Sequence, residues 1–356
     1  MPKRLNVGAI GWLMYYDDEI AKTTAICDIN EAKVRNGVAA HPGTQGYTDY
    51  RKMVDEAGLD VVIISTPNWL HTEMAERFMR KGVDVFLEKP MGVNKAECDR
   101  LLKAQKSTGK TCAIDFEMRT GTAMGRIRDV IGAGEIGDLV GIEFVHHRGA
   151  WEARGNGVWR TQPEKSGGLF FMEICHEVDT LRLLAGDIQA VQSFKMKNVL
   201  PQYPDNMPDN VCTHLWFEGG VTATILAGHT ISVCDAPLGL YDDLGHDMRW
   251  GIVGTEGALR YDEIRQKLLV VRYAEFHPDA PVGKHVEFKR VEDYSSVKNM
   301  NHDIAGNQRR FLQTIHEGKD WHQPLEDAWR THVVCLAAER SAITDNQRIK
   351  VDYALS

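Results

Sequence analysis

The chain has 356 residues, 43% apolar, 26% charged and 8% aromatic, and its 42 Lys plus Arg against 50 Asp plus Glu leave a net charge of −8. That length exceeds what one hydrophobic core serves and points to about two domains, while the composition excludes disordered, fibrous and collagen-like classes. The negative balance without a segregated basic patch argues against a nucleic-acid partner, and seven widely spaced cysteines without a C-x-x-C pair write neither a disulfide framework nor a zinc site.

At the N-terminus, the apolar residues 5–16 are broken by Asn6 and no small-residue cleavage site follows, so neither a signal peptide nor, for want of a run of roughly 18 apolar residues, a membrane span is expected. The expected setting is reducing and cytoplasmic. To about residue 120, short wholly apolar runs (5–10, 24–27, 61–65, 83–87, 111–114) alternate with amphipathic stretches such as 73–81 and 95–107. This is the pattern of a parallel sheet covered on both faces, joined by helical right-handed crossovers. Asn94 with Glu97 three residues on resembles a capping box.

The first run ends at Ile10-Gly11, where a dinucleotide-binding fold places its glycine fingerprint so that backbone N–H groups can approach a pyrophosphate. Here the stretch reads Gly11-Trp12-Leu13-Met14-Tyr15-Tyr16, with only the first glycine present. Asp28, seventeen positions after Gly11, stands near the separation of about 20 expected for a carboxylate that binds ribose hydroxyls and repels a 2′-phosphate. A solvated Asp in a βα loop is its other reading. Run 61–65 leads into Thr66-Pro67-Asn68-Trp69-Leu70-His71, and run 83–87 into Glu88-Lys89-Pro90. Both lie at carboxyl ends of parallel strands, where open α/β sheets bind ligands. A lysine held between an acid and a proline there can lie against a reacting oxygen, and a neighbouring positive nicotinamide would press its pKa down. A surface lysine in a turn is the plain alternative.

After Gly121 the texture changes to longer alternating strands, 140–145 and 211–217, joined by runs 221–227, 249–253, 258–261 and 268–273 and interrupted by helices over 171–184, 304–317 and 325–342. The fold class is therefore α/β, a doubly wound parallel sheet over residues 1–120 followed by an α/β domain over 121–356 with an open, mostly antiparallel sheet. No linker separates the two, and the cleft between them is the default ligand site. His146 and His147 are adjacent on a strand and point to opposite faces, so they do not chelate one ion, and no metal is expected.

Glu88-Lys89-Pro90, Thr66-Pro67-Asn68 with His71, Trp159-Arg160, Ser166-Gly167-Gly168, and His176 with Asp179 together resemble the Gfo/Idh/MocA family of oxidoreductases, over nearly the whole chain. The resemblance implies a Rossmann-like N-terminal domain, and hydride transfer between NAD(H), with NADP disfavoured, and a secondary hydroxyl or keto group of a sugar, glycoside or inositol. It implies that Lys89 hydrogen-bonds the reacting oxygen, that His176 exchanges its proton with solvent, and that Asp179, Glu117 and Trp159 contact substrate. Gly11, Asp28, Thr66, Pro67, Asn68, His71, Glu88, Lys89, Trp159 and Arg160 are the cofactor-binding positions it implies. Trp69, Trp151 and Trp159 could stack on a sugar face, although a large aromatic is more often core.

Two departures stand out. Many members carry an Asp four residues before the histidine, where this chain has Met172; Glu173 is offset by about 100° around a helix and cannot simply substitute unless the segment is not yet helical. The stretch 11–23 is about two helical turns shorter than usual. A related class, in which bound NAD oxidises the substrate transiently and a glycosidic bond leaves by elimination, is the alternative enzyme reading, and a sugar- or dinucleotide-sensing regulator is the non-enzymatic one. An alternating apolar sheet face further predicts a homodimer or homotetramer.

Overall fold

Apolar runs too short for helices pair into a six-stranded parallel sheet in the computed structural model, which describes residues 3–12, 14–149, 158–231, 246–274, 286–297 and 302–356. Strands β1 (Leu5–Gly11), β2 (Ala21–Cys27), β3 (Gln45–Tyr47), β4 (Val61–Ser65), β5 (Asp84–Leu87) and β6 (Cys112–Ile114) lie in the order β3-β2-β1-β4-β5-β6. Helices α1 (Glu31–Ala40), α2 (Tyr50–Glu56), α3 (His71–Arg80) and α4 (Lys95–Thr108) connect them. The order reverses at β1 and β4, the switch point at which doubly wound sheets open a crevice. Strand β3, Gln-Gly-Tyr, has no apolar run and escaped the periodicity reading. The Asn94 side chain caps α4 by accepting from Glu97 N at 3.0 Å, while Glu97 reaches back to Val93 N at 2.9 Å, one residue earlier than a standard capping box.

The expected alternation of strand and helix fails between β1 and β2, where no helix stands among the described residues. Gly11 turns the chain with φ +85°, and a Cβ there would meet the Ser65 carbonyl oxygen at 2.2 Å. The return segment is aromatic and fastened from several sides. Tyr15 stacks on His41 at 3.5 Å with its hydroxyl over Gly37 of α1, Tyr16 donates to Gln308 at 2.7 Å, and Asp18 accepts from the backbone of Ile20 and Ala21. Leu13, in the glycine-fingerprint stretch, and Trp151 lie outside the described residues.

The second sheet has nine strands: β7 (Leu139–Gly149), β8 (Ile188–Lys195), β9 (Asn210–Phe217), β10 (Thr222–Ile231), β11 (His246–Gly254), β12 (Gly257–Asp262), β13 (Lys267–Tyr273), β14 (Val286–Asp293) and β15 (Ile349–Lys350). Their order is β14-β13-β12-β11-β7-β10-β9-β8-β15, antiparallel throughout except that β7 and β10 pair in parallel. Three of these strands were not read from sequence. A register irregularity breaks the alternation of β8, β14 is a largely polar edge, and β15 has two residues.

Helices α5 (Thr122–Gly132), α6 (Pro163–Ser166), α7 (Cys175–Ala185), α8 (Ile304–His316) and α9 (Leu325–Ile343) complete the chain. The expected helix over 171–184 begins with a π turn, Phe170–Ile174, before α7. Glu339 of α9 caps this turn by accepting from Phe170 N at 3.0 Å, and Gly168, at φ +92°, leaves room for that carboxylate. One apolar cluster, including Ile10, Leu87, Phe116, Phe171, Leu181, Trp250 and Trp329, runs between the two sheets. The opposite face of the parallel sheet, Val7, Val61, Ile63 and Phe86, is covered by Phe311 and Leu312 of α8 with Trp321.

Candidate active site

The carboxyl ends of β1, β2 and β4 open onto a cavity of about 1050 Å³ lined by Gly11, Trp12, Asp28, Lys33, Arg51, Thr66, Pro67 and Trp69, among others. Gly11 and Asp28 both line it, the turn glycine and the strand-end carboxylate of a dinucleotide site. The Asp28 carboxylate accepts from Asn30 N at 2.8 Å and from Lys33 Nζ at 3.1 Å. Asn68, by contrast, is buried and donates to the Ser166 carbonyl at 2.9 Å, tying this loop to α6. His71 has no exposed surface. Its Nδ1 lies 2.6 Å from the Pro90 carbonyl oxygen and its Nε2 2.7 Å from that of Thr66, so one ring links the cavity loop to the turn carrying Lys89. Trp159 meets the cavity-lining Trp69 edge-on at 5.2 Å, and the Arg160 guanidinium lies 4.4 Å over the Trp159 ring.

Deeper in, Lys89 follows β5 and donates from Nζ to the Met172 carbonyl. Burial presses its pKa down, but Cys175, Glu173 and Glu88 together hold it above the ordinary lysine value, so it is an ammonium; the downward shift expected from a nicotinamide charge would act against this background. Glu88 itself is pushed up to about 7, by burial first and then by Glu117. His176, at the start of α7, is buried and its pKa is lowered to about 4, burial outweighing the Glu117 carboxylate 3.6 Å from Nδ1. Glu117 also accepts from His302 Nδ1 at 2.8 Å, and this bond keeps His302 above the usual histidine value despite burial. The structure therefore gathers Lys89, His176, Glu88 and Glu117 from both halves of the chain. It places His302, held above the usual histidine value, beside a neutral His176, the two rings 6.1 Å apart.

Met172 turns its side chain toward Tyr203 and Met207 and offers the site its carbonyl instead. Glu173, set aside above on helical phase, is buried and pairs with Arg148 of β7, with His229 Nε2 at 3.8 Å. Residues 170–174 form a π turn rather than an α turn, so the α-helical phase does not apply to this segment. Asp179 has no exposed surface and accepts from Arg119, Gln323 and Thr331. These donors and its burial hold the carboxylate within the protein, away from the surface of the site.

Sequence reasoning missed Arg148, His229 and His302. For Arg148 a signal existed: carrying the alternation of Ile142 and Phe144 onward puts His146 and Arg148 on the inner face. His146 bonds Glu177 at 2.6 Å, while His147 lies on the other side of the strand. Among the described residues no group of three His, Cys, Asp or Glu is arranged to hold a metal, and no helix is long and apolar enough to cross a membrane.

Residues 10–116 match the model of an oxidoreductase family with an NAD-binding Rossmann fold, and residues 124–260 match that of a GFO/IDH/MocA C-terminal domain. The chain is 27% identical over 280 residues to scyllo-inositol 2-dehydrogenase (NAD(+)) of Bacillus subtilis (strain 168), covering 75% of this chain and 76% of that one. It is 27% identical over 232 residues to 2,7-anhydro-N-acetylneuraminate hydratase of Escherichia coli (strain K12), covering 62% and 61%. A levoglucosan dehydrogenase in complex with NADH superposes with a TM-score of 0.81 at 19% identity, over 98% of this chain and 100% of that one. An apo scyllo-inositol dehydrogenase from Lactobacillus casei gives 0.77 at 19%, over 98% and 99%.

Proposed function

Since the chain belongs to the Gfo/Idh/MocA family of NAD-binding oxidoreductases, we propose that it moves a hydride between NAD(H) and a secondary hydroxyl or keto carbon of a sugar, glycoside or inositol. The observation that carries this reading is the Lys89 ammonium, donating to the Met172 carbonyl, in the same site as a buried neutral imidazole, His176, whose Nδ1 lies 3.6 Å from the Glu117 carboxylate. NAD, with Gly11, Asp28, Thr66 and Pro67 as its contacts, supplies the hydride acceptor when bound. Lys89 donates a hydrogen bond to the carbinol oxygen and stabilises the negative charge that develops as its proton leaves. His176 takes that proton, and Glu117 stabilises the imidazolium so formed before it returns its proton to solvent. Trp159 and Arg160 close the cavity rim, and Asp179 with Arg119 anchors α7 so that His176 keeps its place.

The test is to supply NAD⁺ with inositols, sugars and glycosides and follow NADH formation. Turnover with at least one polyol is expected, and its absence across the panel with NAD⁺ bound removes the reading. The transient-oxidation alternative gains weight from the hydratase among the relatives. It gives product without NADH accumulating, which separates it from net oxidation in the same assay.

A further inference from the structure

The carboxylate that would read the adenosine ribose is not bare. Asp28 follows β2 with 8% of its surface exposed, and its Oδ2 already accepts from Lys33 Nζ at 3.1 Å. Lys33 sits in the first turn of α1, with its backbone N–H directed to the Asn30 cap, and its side chain is 60% exposed. The ammonium thus ends a flexible four-carbon stem rather than a packed one. Among the described residues the other cation lining this cavity, Arg51, is engaged elsewhere: Glu73 accepts from it at 3.0 Å, Asp49 lies 3.9 Å away, and it covers the Tyr50 ring at 4.8 Å. Lys33 is paired with the selectivity carboxylate itself.

We infer that Lys33 sets how strongly Asp28 discriminates NAD from NADP. A lone carboxylate at a strand end repels a 2′-phosphate ester, but Asp28 and Lys33 together carry no net charge. Facing a 2′-hydroxyl, the carboxylate accepts from the ribose and the ammonium remains at its edge. Facing a 2′-phosphate, which brings roughly −1.5 to −2 charges, the mobile ammonium turns outward and gives a charge-assisted hydrogen bond. The chain therefore selects NAD by a margin that Lys33 narrows, and the discriminating unit is the pair.

The inference rests on the cofactor reading above. Calorimetry with NAD⁺ and NADP⁺ tests it without any substrate. Wild type is expected to favour NAD⁺ by about tenfold. Lys33→Ala should weaken NADP⁺ by about a further tenfold while NAD⁺ changes less than threefold. Asp28→Ser should bring NADP⁺ level with or ahead of NAD⁺, and adding Lys33→Ala to Asp28→Ser should abolish that gain. An unchanged NAD⁺ to NADP⁺ ratio in Lys33→Ala, or NADP⁺ binding as tight in the double variant as in Asp28→Ser, overturns the inference alone. Failure of wild type to bind either nucleotide overturns the cofactor reading with it.

Discussion

His176 owes its protonation state to burial, which lowers its pKa to about 4 against the pull of Glu117. The sign follows directly: the ring is neutral, and able to accept a proton, at every pH above about 4. The acid limb of kcat/KM for polyol oxidation should therefore lie near 4, not near the ordinary histidine value of about 6.5; a limb centred on 6.5 that disappears in His176→Ala would keep His176 as the base and overturn its lowered pKa. Lys89→Ala and His176→Ala should each cut turnover by about 10²- to 10⁴-fold with NAD⁺ affinity within a few fold, and full turnover in either variant would remove that residue from the chemistry. Lys89 and His176 were legible because their residue types stand at a strand end and in an apolar helix within a recognisable pattern. The alternation of β7 puts Arg148 on the inner face but does not name Glu173 as its partner, and His302 had no such signal, because it acquires meaning only from Glu117, distant in the chain.

The π turn at Phe170–Ile174 is the element that spacing alone could not supply. An α-helical phase of about 100° per residue separates Met172 from Glu173, and the extra residue in a π turn disturbs that phase. The Met172 carbonyl then faces Lys89 while Glu173 meets Arg148. Met172→Ala, which keeps the carbonyl, should change kcat/KM by less than about threefold, since it removes no positioned acid or base. Glu173→Gln breaks a buried ion pair and should lower stability by about 3 kcal/mol; because Glu173 helps to hold the Lys89 ammonium, the alkaline limb of turnover at which that ammonium loses its proton should also move to lower pH. Thermal unfolding and pH–rate profiles of both variants check this, and an unmoved limb in Glu173→Gln confines Glu173 to a structural part. The long alternating strands and regular helices, in contrast, were readable because burial repeats with a period of 2 or 3.6.

At the scale of the whole molecule, the division near residue 120 is a proposal about folding as much as about chain order. Helix α8 belongs to the C-terminal part yet covers Val7, Ile63 and Phe86 of the parallel sheet. A fragment of residues 1–120 should therefore be unfolded or aggregated, and a cooperative melt of the isolated fragment would refute this. The outer face of the nine-stranded sheet carries Phe194 at 38% exposure and, lining a depression with Gly141, Thr222 and Gly251, Val253 at 45%. Such a face favours a second copy of the chain. Light scattering should give two or four times 40.0 kDa, with Val253→Arg shifting the mass toward monomer; a monomeric wild type at micromolar concentration would exclude the assembly.

The aromatic return between β1 and β2 bears on time rather than affinity alone. A helix opening directly after β1 would slow a nucleotide's departure by offering aligned N–H donors and a favourable dipole to its diphosphate, and among the described residues no helix stands between β1 and β2. The reduced nucleotide should accordingly leave between turnovers and serve as a diffusing cosubstrate, refreshed from the pool, instead of staying resident through many cycles. Protein purified without added nucleotide should be largely free of it, and rapid dilution of the NADH complex should show release no slower than turnover. A stoichiometric nucleotide surviving gel filtration would point instead to chemistry in which the same molecule is reduced and reoxidised in place.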